Sequence, residues 1–116
     1  MKPLAFFLAA LLPGAAMAGA IAFEPVAPEG LDAEAQKVVA VLQSRFPGQM
    51  PVFEQAGYGA WGAIAVPVGK PLGPETLSSA VNLPDAEAAR AAVLKACREQ
   101  QGAECTVIGL IVPTGN

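Results

Sequence analysis

The chain has 116 residues, 53% of them hydrophobic, with ten acidic and seven basic side chains, a formal net charge of −3 and no histidine. Neither sign of charge is clustered, so the basic face on which nucleic-acid affinity depends is missing. The lack of histidine removes the Ser-His-Asp and Cys-His constellations, the usual neutral-pH base and the commonest metal ligand, and two cysteines alone do not make a zinc site.

The amino terminus carries the clearest signal. Met1-Lys2 gives one positive charge, Pro3 to Leu12 has none, Pro13-Gly14 breaks the run, and Ala16-Met17-Ala18 supplies small residues around a cleavable bond. A basic start, a short apolar stretch and a small-x-small site together make a secretory signal peptide. Residues 1–18 are therefore expected to be removed by a cut between Ala18 and Gly19. The break falls short of the ~20 apolar residues that span a bilayer, and no Cys follows the site to carry a lipid. Cleavage leaves Gly19 to Asn116, 98 residues with ten acids against six bases. That is one domain, expected to be periplasmic or secreted, with no membrane span after cleavage.

Residues 19–30 hold two prolines and two glutamates without period and read as an extended arm, with room for a short strand at Ile21-Ala22-Phe23. The single domain then covers residues 31–116. Leu31, Ala35, Val38, Val39, Leu42 and Phe46 recur at helical spacing, Asp32 can cap the start, and Phe46-Pro47-Gly48 is expected to stop the helix. Val52-Phe53-Glu54-Gln55 and Tyr58 to Val66 read as an antiparallel pair turning at Gly57. Glycines at 59 and 62 suggest close approach by another element. Pro67 to Glu75 is a loop, and Leu77 to Asn82 alternates as a third strand. From about Asp85 to Gln101 a second helix carries Pro84 and Asp85 at its start, Gly102 at its end and a narrow stripe of Ala86, Ala89, Val93, Ala96 and Cys97. Glu104 to Val112 is apolar on both faces, as a central strand requires. The order predicts a small α+β domain: a mainly antiparallel sheet, an N-terminal helix, and a second helix between the last two strands.

Cys97 lies on the inward stripe of the second helix and Cys105 begins the last strand, with Gly102 between them to reverse the chain. In an oxidising compartment such a pair is expected to bond. The spacing is not C-x-x-C, and no histidine stands by to lower a thiol pKa, so a redox-active pair is not indicated.

Other chemistry is thin. Gly57-Tyr58-Gly59-Ala60-Trp61-Gly62 lacks the G-K-[ST] ending of a phosphate loop and the spacing of a dinucleotide fingerprint. Glu54, Glu75 and Glu104 are candidates for a carboxylate pair, and Lys70 with Ser78 or Ser79 for a Ser-Lys pair, but nothing in their spacing assembles them. Tyr58 and Trp61 are the two aromatics with polar handles; three apart on a strand they point to opposite faces, and either is a candidate contact for a partner such as an envelope protein. A pyridoxal-phosphate enzyme of the 5-aminolevulinate synthase type needs a Schiff-base lysine in a large pocket. With Lys37, Lys70 and Lys95 as its only lysines and 98 residues, the mature chain cannot build one. No cofactor or metal is implied, and no catalytic residue stands out. The expected role is a binding or interaction module; a small enzyme with an unrecognised carboxylate or serine site is the alternative.

Tyr58, Gly62-Ala63-Ile64-Ala65, the helix pattern Ala86-x-x-Ala89-x-x-x-Val93-x-x-x-Cys97, and Cys105 with its β-rich run resemble a family of small secreted bacterial proteins, the domain-of-unknown-function family numbered four-one-eight-nine. The resemblance covers roughly Tyr58 to Val112 and implies a strand-helix-strand core with a disulfide. The long loop from Pro67 to Pro74 and the N-terminal helix depart from the pattern, and the resemblance brings no activity.

Intact-mass analysis of exported material is expected to show a chain starting at Gly19. Recovery of the full-length chain in the inner membrane would contradict export by cleavage.

Overall fold

The computed structural model describes residues 20–114; the signal segment and its Ala18–Gly19 bond lie outside them. The elements are β1 (Ile21–Pro25), α1 (Ala33–Gln55), β2 (Trp61–Pro67), a 3-10 turn (Pro74–Thr76), β3 (Ser78–Leu83), α2 (Ala86–Gln101) and β4 (Cys105–Pro113). The four strands form one sheet in the order β1-β4-β2-β3, and every neighbouring pair is antiparallel. This is the expected α+β architecture, with α1 near the amino end and α2 between the last two strands. Among the described residues, no helix is long and apolar enough to cross a membrane.

β4 is the spine. Its near-continuous apolar sequence is buried from Thr106 to Ile111, and it pairs with β1 on one edge and β2 on the other. The extended arm expected before residue 31 carries β1. Beyond that strand the arm stays fastened: Val26 N donates to Ile108 O, and Glu29 N donates to the Thr106 hydroxyl at 2.9 Å. Opposite β2 the register of β4 slips, with Ile64 facing Gly109 but Ala65 facing Val107. Ile108 is thus the extra residue of a β-bulge toward β2, while its carbonyl still accepts from Val26 N on the β1 side. The Gln43 amide of α1 donates to both Ile108 O and Val26 O, each at 2.9 Å. One side chain so ties the helix, the arm and the bulge together.

The helices lie on opposite faces of the sheet. In β2, Ile64 and Val66 join a core with Val39, Phe46 and Met50 of α1, while the alternate residues Ala63 and Ala65 pack with Ala89, Val93 and Cys97 of α2. Both β1-α1-β2 and β3-α2-β4 join parallel strands separated by one strand of the other unit. Two right-handed crossovers of this kind would put both helices on one face; helices on opposite faces give the two connections opposite hands. The small residues at the α2 interface let that helix lie close. α2 is capped as its sequence indicates, Asp85 accepting from Ala88 N and Gly102 taking the left-handed conformation at φ 63°.

The expected stop of the first helix at Phe46-Pro47-Gly48 is not observed. α1 runs on to Gln55 through Pro47 and Pro51, so Val52 to Gln55 is its last turn rather than a strand, and Gly57 turns the chain from helix into β2 instead of closing a hairpin. An interior proline costs about 3 kcal/mol. Both prolines are exposed, which puts their missing donors on the water side. Beneath them Phe46 and Met50 are buried and Phe53 half-buried, at roughly 1.5–3 kcal/mol for each fully buried side chain. Continuing the helix keeps Met50 and Phe53 on the sheet in line with Phe46, and their burial offsets part of the local penalty. Of the expected inward stripe, Val38 is the exception: it is 36% exposed.

Two glycines mark close approaches on the α1 face. A Cβ on Gly109 would stand 2.1 Å from the Phe23 ring, which lies over that strand with its centroid 5.0 Å from that of Phe46. A Cβ on Gly62 would meet the Ala80 carbonyl at 2.8 Å and the Ile111 side chain at 3.2 Å. The backbone carbonyl cannot swing aside. Gly62→Val is expected to destabilise the fold by about 1–3 kcal/mol through overpacking, read as a lowered denaturation midpoint; an unchanged midpoint would contradict the close contact.

Candidate functional site

Tyr58 and Trp61 pack against opposite faces of the sheet, but the strand expected from Tyr58 starts only at Trp61, so the alternation along a strand is not what separates them. Tyr58 precedes β2 and packs on the α1 core, its ring centroid 5.5 Å from that of Phe53. Trp61 opens β2 opposite Leu83 and packs on the α2 core. Both are half-buried, so neither is a freely exposed contact.

Their surroundings differ. α1 crosses β1 and β4 and leaves part of the same face over β2 and β3 uncovered by helix. There a cleft of about 260 Å³ opens between the C-terminal half of α1 and β3, walled by Phe46, Phe53, Tyr58, Leu77, Val81 and Ile111. Gln49 and Ser79 are among its polar members, and no charged residue lines it. Drug-sized ligands occupy roughly 300–1,000 Å³, so this space suits one apolar side chain or a short apolar tail. Tyr58 adds a phenol that can fix the orientation of such a group by a hydrogen bond. Sequence reasoning found Tyr58, and Ser79 only as half of a Ser-Lys pair, but missed Phe46, Phe53, Leu77 and Val81. The signal was present, because Phe46, Gln49 and Phe53 share one helical face once the helix is carried through Pro47.

The remaining candidates do not converge. Glu54 accepts the Ile21 backbone N–H at 2.9 Å and so fastens the start of β1 to the end of α1. Glu75 belongs to the 3-10 turn and Glu104 stands just before β4; none of these three acids lines the apolar cleft or either of the two other clefts described below. Lys70 donates to Gln101 O at 2.5 Å, at the C-terminal end of α2 where a cation is favoured, and Ser78 donates to Gln100 Oε1 at 3.0 Å. The imagined Ser-Lys pair is spent on holding that helix end, and Ser79 faces the opposite side of the sheet beside Ile64. Among the described residues, no three His, Cys, Asp or Glu side chains are placed to hold a metal ion.

A second cleft, of about 480 Å³, lies between the start of α1 and the proline-rich loop, with Asp32, Glu34 and Lys70 on its walls. Asp32 is already engaged there, accepting from Ala35 N at 2.8 Å as the helix cap. A third, of about 210 Å³, adjoins Cys105.

No protein-family model, curated protein or solved structure matches this chain.

Cys97 and Cys105 are joined in a disulfide, with Cα atoms 6.2 Å apart. Cys97 lies on the buried stripe of α2, and the Gly102 reversal brings the first residue of β4 back to it. The bond closes a loop with a sequence separation of 8. On the entropic model so short a closure stabilises by roughly 2–3 kcal/mol. Replacing both cysteines by serine is expected to lower stability by about that amount. Hydrogen exchange should speed up first in the last turn of α2 and the start of β4. Two reactive thiols titrated after unfolding without reductant would contradict the bond.

Proposed function

We propose that this is an exported, non-enzymatic binding domain whose contact site is the apolar cleft bordered by Tyr58. One observation carries the reading: a partly open, charge-free cleft next to an aromatic with a polar handle, on a face that α1 only partly covers. Such a surface recognises an apolar group by burial and orients it by one or two hydrogen bonds. Its size points to an apolar side chain or short tail of a larger partner, for which an envelope component is the natural source. Export is supported by the pattern of residues 1–18, and the disulfide suits an oxidising compartment. Kinship with the small secreted family numbered four-one-eight-nine belongs to the same proposal and rests on the residues from Tyr58 to Val112 quoted above.

The test uses mature protein, Gly19 to Asn116, immobilised and exposed to an exported-protein fraction. Ser79→Arg and Val81→Arg place a charge in the cleft, whereas Lys95→Ala changes the exposed side of α2. Capture of a partner is expected to fall about tenfold or more in both cleft variants, the equivalent of about 1.4 kcal/mol, and to persist in Lys95→Ala. Equal capture by all four proteins would defeat the assignment of the cleft.

A further inference from the structure

The two ends of the disulfide are not equivalent. Cys97 is 0% exposed and packs with Ala63, Val93 and Val107 beneath α2. Cys105 is partly exposed and forms part of the wall of the cleft of about 210 Å³. Thiol–disulfide exchange proceeds by attack of a thiolate on one sulfur while the other leaves, and access decides which is attacked. Open space adjoins Cys105 alone.

The same cleft has a composition suited to one kind of visitor. Val26 and Leu94 give it apolar wall, and Arg90 and Glu29 place one positive and one negative side chain on it. Guanidinium pairs strongly with carboxylate, and a carboxylate receives ammonium equally well. A small thiol built on an amino acid carries both groups. The volume of about 210 Å³ admits such a thiol.

We propose that Cys105 is the sulfur through which this disulfide exchanges, and that the cleft lined by Arg90 and Glu29 seats a small anionic cysteine-type thiol for that exchange. The incoming thiolate RS⁻ bonds to Cys105 Sγ and the bond to Cys97 breaks. Cys97 leaves with the electron pair and takes a proton from water. Cys97, held beside the mixed disulfide by the fold, then loses that proton and attacks Cys105 Sγ, which restores the protein disulfide and expels RS⁻. No net oxidant is consumed. Full reduction instead takes a second RS⁻ attacking the R sulfur, giving RSSR and a Cys105 thiolate.

The test separates the two sulfurs and then the cleft. Cys97→Ser and Cys105→Ser, each with one thiol, are treated under native conditions with glutathione disulfide and followed by intact mass. In each, the thiolate bonds to one sulfur of the reagent and releases one reduced glutathione. Cys105 is expected to be modified about tenfold or more faster than Cys97, because exchange follows thiolate fraction and access and burial disfavours the thiolate. Equal rates, or a faster Cys97, would overturn the proposal. Should either variant fail to fold, the wild-type chain is treated with reduced glutathione, quenched in acid and peptide-mapped. The adduct is expected on Cys105, and an adduct on Cys97 would be decisive against it. Arg90→Glu in the Cys97→Ser chain, or in the wild-type mapping, is expected to slow modification by glutathione and leave that by neutral hydroxyethyl reagents unchanged. Loss with both reagents, or with neither, would remove the cleft from the proposal.

Discussion

β4 is hydrogen-bonded along both edges and buried on both faces, and most of the domain is arranged around that fact. A strand in this position cannot leave a backbone group unpaired without a penalty of about 1–3 kcal/mol. At its irregularity Ile108 O keeps the Val26 N–H as its partner and takes a second hydrogen bond from Gln43 of α1. The same amide holds Val26 at the end of β1. An edge strand, a helix and a bulge in the central strand are coupled through one side chain. The Phe23 ring over Gly109 acts in the same place, substituting aromatic surface for the side chain that the strand lacks.

The two faces of the sheet use opposite packing strategies. Against α2 the side chains are small, with Ala63, Ala65 and Ala89 fully buried and the Cys97 bond clamping the helix end to the start of β4. Against α1 they are large, and Ile64, Ile108 and Ile111 meet Phe46 and Met50. A close, well-covered face leaves little room. The bulkier face, spanned by a helix that reaches only part of it, keeps an apolar cleft. The site proposed for binding is thus a consequence of where α1 lies, and the second cleft of interest follows from Cys105 standing at the rim of the tight face.

Legibility in the sequence varied with how local the cause was. α2 announced itself through Asp85, a stripe of small residues and Gly102, and each of these acts as read. β4 was legible because a run apolar on both faces has few other homes. The cysteines could be paired from their places on neighbouring elements. α1 was misread from Pro47 onward. Proline is a strong local stop signal, and nothing near it in sequence shows that Met50 and Phe53 reach the sheet only if the helix runs on. Taking Val52 to Gln55 as a strand followed from that one error.

The sequence by itself determined the α+β composition, the antiparallel strands and the disulfide partners, because each rests on residue chemistry or on spacing within and between neighbouring elements. It could not determine which face each helix covers. Right-handed crossovers are the rule for a strand-helix-strand unit, yet the two connections here differ in hand. That choice was made by the fit of large and small side chains from β2 and β4 to α1 and α2, residues distant in the chain and adjacent only when folded. The cleft beside Tyr58 exists only after that choice. Its walls come from α1, β2, β3 and β4, and no single segment carries its outline.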